Sequence, residues 1–195
     1  MQSSLFYHAK INYSLIRLMD LEASGGEPLK YPIGDFEYGK KYSSADTRSH
    51  IKVLDKLPQR LKTLTSKLTD SQLDTPYRPD GWTVRQVVHH IADSHINMFT
   101  RIRFALTEEN PPIKGYDEAA WALLPDHQLP IKPSLQIIEG LHKRMVFLFK
   151  NLNKQDLKKT YYHGGYQKSF EIKEVIALYA WHSEHHYQHI IQALK

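Results

Sequence analysis

His182 and His186 stand four apart in the run Trp181-His182-Ser183-Glu184-His185-His186. Residues at that spacing share one face of a helix, so their imidazoles can close on one divalent ion if a packed neighbour supplies a third ligand. His90, on a separate predicted helix, is the candidate for that third position. Three protein ligands leave coordination positions open, which is the arrangement of catalytic rather than structural metal sites. The spacing therefore speaks to chemistry before it speaks to substrate.

The elements that would hold these residues can be read from periodicity. At about 100° per residue, Val175, Leu178, Tyr179, His182, His186, Ile190 and Ala193 form one stripe, with the histidines in the middle of an apolar face. Imidazole buried there needs a hydrogen-bond partner or a metal. His189 lies close to the stripe and His185 on its edge. A helix from Thr83 to about Thr107 begins at an Asp80-Gly81 turn and a Thr83/Gln86 capping box. Its stripe is Val84, Val87, Val88, Ile91, Met98, Phe99, Ile102 and Leu106. His90 sits at the stripe's edge, followed along the same edge by Ser94, Asn97 and Arg101. His89 points almost the opposite way, whereas His95 falls inside the stripe and competes with His90 as a ligand.

Two more helices complete an all-α chain. The first spans about Asp46 to Lys67, with Ile51, Leu54, Leu57, Leu61, Leu64 and Leu68 inward, and Pro58 predicts a kink or break near Leu54 to Leu57. The third is expected after Pro133, with Ser134 as N-cap, running to about Asn151 with Leu135, Ile138, Leu141, Met145, Leu148 and Leu152 inward. The fourth, carrying the histidine pair, covers about Glu171 to Leu194. The long proline-rich connection from Asn110 to Pro133 holds Trp121 in a short helical stretch, and long connections in compact domains are often functional. It could cross the bundle as a lid. A weak internal repeat sets Trp82 through Val88 against Phe170 through Ile176, and in that register Ser94 corresponds to His182.

The chain has 195 residues, enough for one domain with a substantial core. It has no cysteine, which excludes disulfides, thiolate ligands and a protein nucleophilic thiol. No apolar run approaches the roughly 18 residues of a membrane span. A formal charge of +5 with scattered Lys and Arg, and no nucleic-acid motif, suits an anionic small molecule at least as well as DNA. Residues 1–30 read as a peripheral or flexible extension, not a signal peptide, with the domain occupying 31–195.

The run Gly81-Trp82-Thr83-Val84-Arg85-Gln86-Val87-Val88-His89-His90-Ile91-Ala92-Asp93-Ser94-His95 resembles the DinB-like superfamily, and within it the YfiT branch of metal-dependent hydrolases and bacillithiol transferases. Tyr31-Pro32-Ile33-Gly34, Leu73 to Arg78, Ala105 to Pro111, Tyr116 to Trp121 and Trp181-His182-Ser183 extend the resemblance to nearly all of the chain after residue 30. It implies a four-helix bundle of the DinB type with a long crossover connection between helices two and three. It also implies one Zn²⁺ or Ni²⁺ per subunit on His90, His182 and His186, which resolves His90 against His89 and His95. A cytoplasmic homodimer and hydrolase or thiol-transferase chemistry follow from the same resemblance.

A divalent ion can lower the pKa of bound water to about 7 and deprotonates a bound thiol outright. No carboxylate is placed beside the ligands to act as base: Asp93 lies off their face and Glu184 opposite His182. That favours attack by a low-molecular-weight thiol on a small electrophile over hydrolysis of a small ester or amide. Arg101 could pair with an anionic group on the cosubstrate, with Asn97 beside it. A metal-binding stress protein without turnover, and a bundle whose histidines are simply hydrogen-bonded in the core, are the other readings.

Overall fold

A computed structural model of the chain describes residues 29–195. The segment expected to be a peripheral extension thus lies, but for Leu29 and Lys30, outside the described residues. Four long helices dominate: α1 (Ser44–Thr65), α3 (Val84–Thr107), α5 (Lys132–Lys150) and α6 (Ile172–Ala193). Two single-turn helices, α2 (Asp70–Leu73) and α4 (Glu118–Trp121), sit in the connections, the latter where a helical stretch around Trp121 is expected. α1 and α3 each pack against both α5 and α6. The order around the bundle is therefore α1–α5–α3–α6, with the two members of each sequential pair on a diagonal. The long connection makes this order possible: it crosses α3, where the Gln86 amide donates to the Ala122 carbonyl and His127 meets Asp93.

Local chemistry sets the helix starts. Thr83 and Gln86 form the expected capping box on α3. Ser43 and Asp46 form another on α1, which therefore starts before Asp46 rather than at it. α5 starts at Lys132, and Ser134 is inside it rather than at its N-cap. Pro133 in the first turn needs no N–H partner, and the Ser134 hydroxyl is bound to His89 Nδ1 at 2.7 Å. The inward face of α5 is also rotated from the expected stripe, so that Ser134, Ile138, His142, Met145 and Phe149 are buried while Leu135, Leu141 and Leu148 are only partly so.

Pro58 does not break α1, which runs unbroken through it. A proline at residue 58 leaves the carbonyl of residue 54 without its helical donor. Here the Leu54 carbonyl accepts from His142 Nδ1 at 2.7 Å, so the freed acceptor is satisfied from the neighbouring helix.

A small sheet, absent from the sequence expectation, caps one end of the bundle. β1 (Pro112–Ile113) runs parallel to β2 (Thr160–His163), which pairs antiparallel with β3 (Lys168–Glu171) in the register Thr160↔Glu171 to His163↔Lys168. α6 starts directly off β3, as α3 starts directly after the bridge Pro76↔Thr83. The two helices that carry the candidate ligands thus share a strand-then-helix entry, in the register of the internal repeat.

The apolar core falls into two clusters. One holds Leu54, Met98, Met145 and Tyr179, the other Leu57, Ile91, Ile138 and Ile190. On α3, α5 and α6 the residues between the two levels include His95, His142, His182 and His186. A layer of histidines therefore divides the core across the bundle.

Candidate metal centre

α3 and α6 pack side by side and bring His90, His182 and His186 together: one ligand-capable nitrogen from each lies within 4.8 Å of those of the other two. His90 Nε2 and His182 Nε2 are 3.2 Å apart. Two nitrogens at ~2.0–2.1 Å from one tetrahedral zinc would be separated by about 3.4 Å, so the spacing fits shared ligation. Burial drives the His90 pKa down to about 3 and those of His182 and His186 well below the ordinary value, with neighbouring histidines adding to the effect. The rings are therefore neutral, which is the ligating form. His90 and His186 are buried, whereas His182 keeps partial contact with solvent. Trp82 flanks the group with ring centroids 4.6 Å from His90 and 6.3 Å from His186.

The competing histidines have other partners. His89 is buried on the far edge of α3, between the Ser134 hydroxyl and the Leu129 carbonyl, and ties down the crossover connection. His95 lies behind His182, its Nε2 3.3 Å from His182 Nδ1. His185, His186 and His189 form a second histidine grouping that shares His186 with the first. His185 stacks on Trp181 with centroids 4.5 Å apart.

A polar lip extends from the cluster along α3. Ser94 Oγ is 3.4 Å from His182 Nε2 and donates to Tyr179 Oη at 3.3 Å. Tyr116 adjoins Ser94 and Tyr179, and burial raises its hydroxyl pKa. Arg101 is buried at the outer end, its Nη2 donating to the Lys114 carbonyl at 2.8 Å and its guanidinium 5.9 Å from the Tyr116 ring centroid. Asn97 is turned to its own helix, where its amide donates to the Asp93 carbonyl at 2.9 Å.

Among the described residues, neither histidine grouping includes a carboxylate. Asp93 is paired with His127 at 2.9 Å, and Glu184 forms a two-pronged pair with Arg60 of α1. Glu118, which the sequence reading did not single out, lies within electrostatic reach of Arg101 and Tyr179. Its side chain touches solvent, yet lost hydration still raises its pKa.

Residues 54–190 match the family model of the DinB superfamily. The chain belongs to that superfamily. A protein of Bacillus pumilus named "Putative metal-dependent hydrolase" is 43% identical over 167 residues, covering 86% of this chain and 95% of the relative. One of Oceanobacillus iheyensis with the same descriptive name is 46% identical over 166 residues, covering 85% and 96%. YfiT from Bacillus subtilis, described as a probable metal-dependent hydrolase with an unusual four-helix bundle topology, superposes with a TM-score of 0.83 at 42% identity, covering 86% of this chain and 96% of that one. The mycothiol-dependent maleylpyruvate isomerase shares the fold alone, with a TM-score of 0.56 at 13% identity over 75% of this chain and 60% of that one. The all-α four-helix bundle of the DinB, YfiT-like type expected from the sequence is therefore the fold of this chain. No described helix is long and apolar enough to cross a membrane.

Proposed function

We propose that this DinB-superfamily chain is a metal-dependent enzyme that holds one divalent ion, Zn²⁺ or Ni²⁺, on His90, His182 and His186. The convergence of three neutral imidazoles from two helices carries the reading. The names of the relatives support the broader half of it, a metal-dependent hydrolase. Imidazole donors suit zinc and nickel alike. The bound ion would supply Lewis acidity and lower the pKa of a water or thiol that joins it.

The finer reading is transfer of a low-molecular-weight thiol to a small electrophile, in the cytoplasm. Three observations support it. Among the described residues, no carboxylate joins the histidine grouping to deprotonate water. The chain has no cysteine to compete for metal or electrophile. The lip of Ser94, Tyr179 and Tyr116 leads from the partly open side of His182 to the buried cation of Arg101, a suitable anchor for an anionic group on the thiol. Tyr116 and Tyr179 hold their protons at neutral pH and act as donors that orient substrate. Hydrolysis of a small ester or amide is the second reading, favoured by the relatives' names and by Glu118, whose raised pKa suits a proton acceptor.

The deciding assay compares metal-loaded and chelator-treated protein across several thiols and across simple esters and amides. Metal-dependent consumption of thiol together with electrophile is expected. Efficient hydrolysis with no thiol requirement would install the second reading. Stoichiometric metal without turnover of either class would leave a binding module. We further propose a homodimer; a monomer by light scattering at tens of micromolar would reject it.

A further inference from the structure

Behind the proposed ligands the histidine layer forms a directed chain. The Leu54 carbonyl can only accept, so the His142 nitrogen beside it, Nδ1 at 2.7 Å, carries that ring's proton. The ring is neutral, because burial drives its pKa down to about 4. His142 Nε2 is then a bare acceptor, and it lies 2.9 Å from His95 Nδ1, which must donate. His95 is fully buried with another imidazole nitrogen as the partner at each of its own, so a second proton there would be a buried charge without a counter-ion. Its Nε2 is therefore also bare, and it receives the proton of His182 Nδ1 at 3.3 Å. The opposite direction would set the Nδ1 lone pair of His142 against the Leu54 carbonyl, a buried repulsion with no compensating partner.

We infer that His142 and His95 are positioning residues that fix the tautomer of His182. The carbonyl freed by Pro58 sets His142, His142 sets His95, and His95 leaves the His182 Nε2 lone pair bare and facing His90. Imidazole ligands generally donate their second nitrogen to a carboxylate, carbonyl or water. Here two further imidazoles stand in, and the terminal carbonyl lies on a third helix. His186 is backed in the same manner. His189 Nε2 donates to the Lys30 carbonyl at 3.1 Å, so His189 Nδ1 is bare and accepts from His186 Nδ1 at 3.3 Å. That leaves His186 Nε2 unprotonated. The inference rests on the three-histidine reading for the purpose of the bare nitrogens, but not for their existence.

Long-range proton–nitrogen spectra of ¹⁵N-histidine-labelled full-length chain, stripped of metal, read the tautomers directly. His142, His95 and His182 should each carry the proton on Nδ1 before any metal is added. In His142→Phe, two rings away from the ligand, the His182 proton should redistribute toward Nε2. Zinc affinity by chelator competition should then fall about 10- to 100-fold, the range for loss of groups that support a ligand. His142→Gln, whose amide can both donate to the Leu54 carbonyl and accept from His95, should recover part of that loss. A His182 proton on Nε2 in the metal-free wild type would overturn the inference. So would a folded His142→Phe with wild-type zinc affinity. Failure of the wild type to bind zinc would defeat the three-histidine reading instead, because the tautomers are measured without metal.

Discussion

His182 and His186 belong to one helix turn and carry the same proposed task, but the structure behind them differs. Behind His182 stand His95 on α3, His142 on α5 and the Leu54 carbonyl of α1, with both supporting rings almost completely buried. Behind His186 stands His189 of the same helix, stacked on Tyr77 with ring centroids 3.8 Å apart and ending on the Lys30 carbonyl. Lys30 belongs to a strap along α6 that is also held by Leu29 and Gly34, whose carbonyls accept from Gln192 and Trp181. The inner support consists of bundle packing alone. The outer one depends on a partly exposed segment of irregular chain, which opens more readily than core helices. One ligand is thus as firmly set as the core, and the other as firmly as the strap.

The strongest test removes the ligands. His90→Ala, His182→Ala and His186→Ala should each lose stoichiometric metal on elemental analysis, and full occupancy in His182→Ala would make the comparison meaningless. Next come the supports. His95→Phe should weaken zinc binding by one to two orders of magnitude, whereas His189→Phe should cost about tenfold or less, because water can reach the strap side and replace a lost partner. Equal losses in competition titrations would show that the strap is as rigid as the interior. Arg101→Ala should leave metal content intact and raise the apparent KM for an anionic thiol by roughly tenfold with kcat little changed, since an outlying ion pair contributes binding rather than activation. A fall in kcat alone would place Arg101 closer to the chemistry. His89→Ala should change metal content least while costing about 1–3 kcal/mol in thermal unfolding, because it takes the partner from the buried Ser134 hydroxyl and leaves the Leu129 carbonyl held by Arg85 alone. Loss of metal there would show that the crossover connection reaches the site.

Much of this architecture was legible in periodicity. The long stripes of α3 and α6 and the Thr83/Gln86 box follow from helical phase and spacing, whereas phase left His90 and His95 both open as partners of the pair and the family resemblance chose His90. The small sheet was not. Its strands span two to four residues, too few for an alternating pattern to stand out, and β1 pairs with a strand nearly fifty residues later. The supporting histidines were half visible. His95 stood out as a rival ligand because its phase is inward, but phase cannot distinguish a ligand from the residue that orients it. His142 was hidden by assigning Leu141 to the inward face of α5. The signal that could have found it was Pro58: a proline deep in a helix frees a carbonyl, and a buried carbonyl requires a donor. An inward histidine four residues after Ile138 was the available one.

The ring order α1–α5–α3–α6 bears on how the protein reaches its working state. Because α3 and α6 come from different sequential pairs, neither half of the chain holds a complete ligand set, and the three imidazoles meet only after the halves have docked. At the proposed site metal would therefore bind tightly only to finished molecules, and by mass action it would draw the population toward them: free ion at a hundred times Kd would add about 2.7 kcal/mol to the assembled state. Metal supply would then govern not only how many molecules are active but how many escape the proteases that remove incomplete ones.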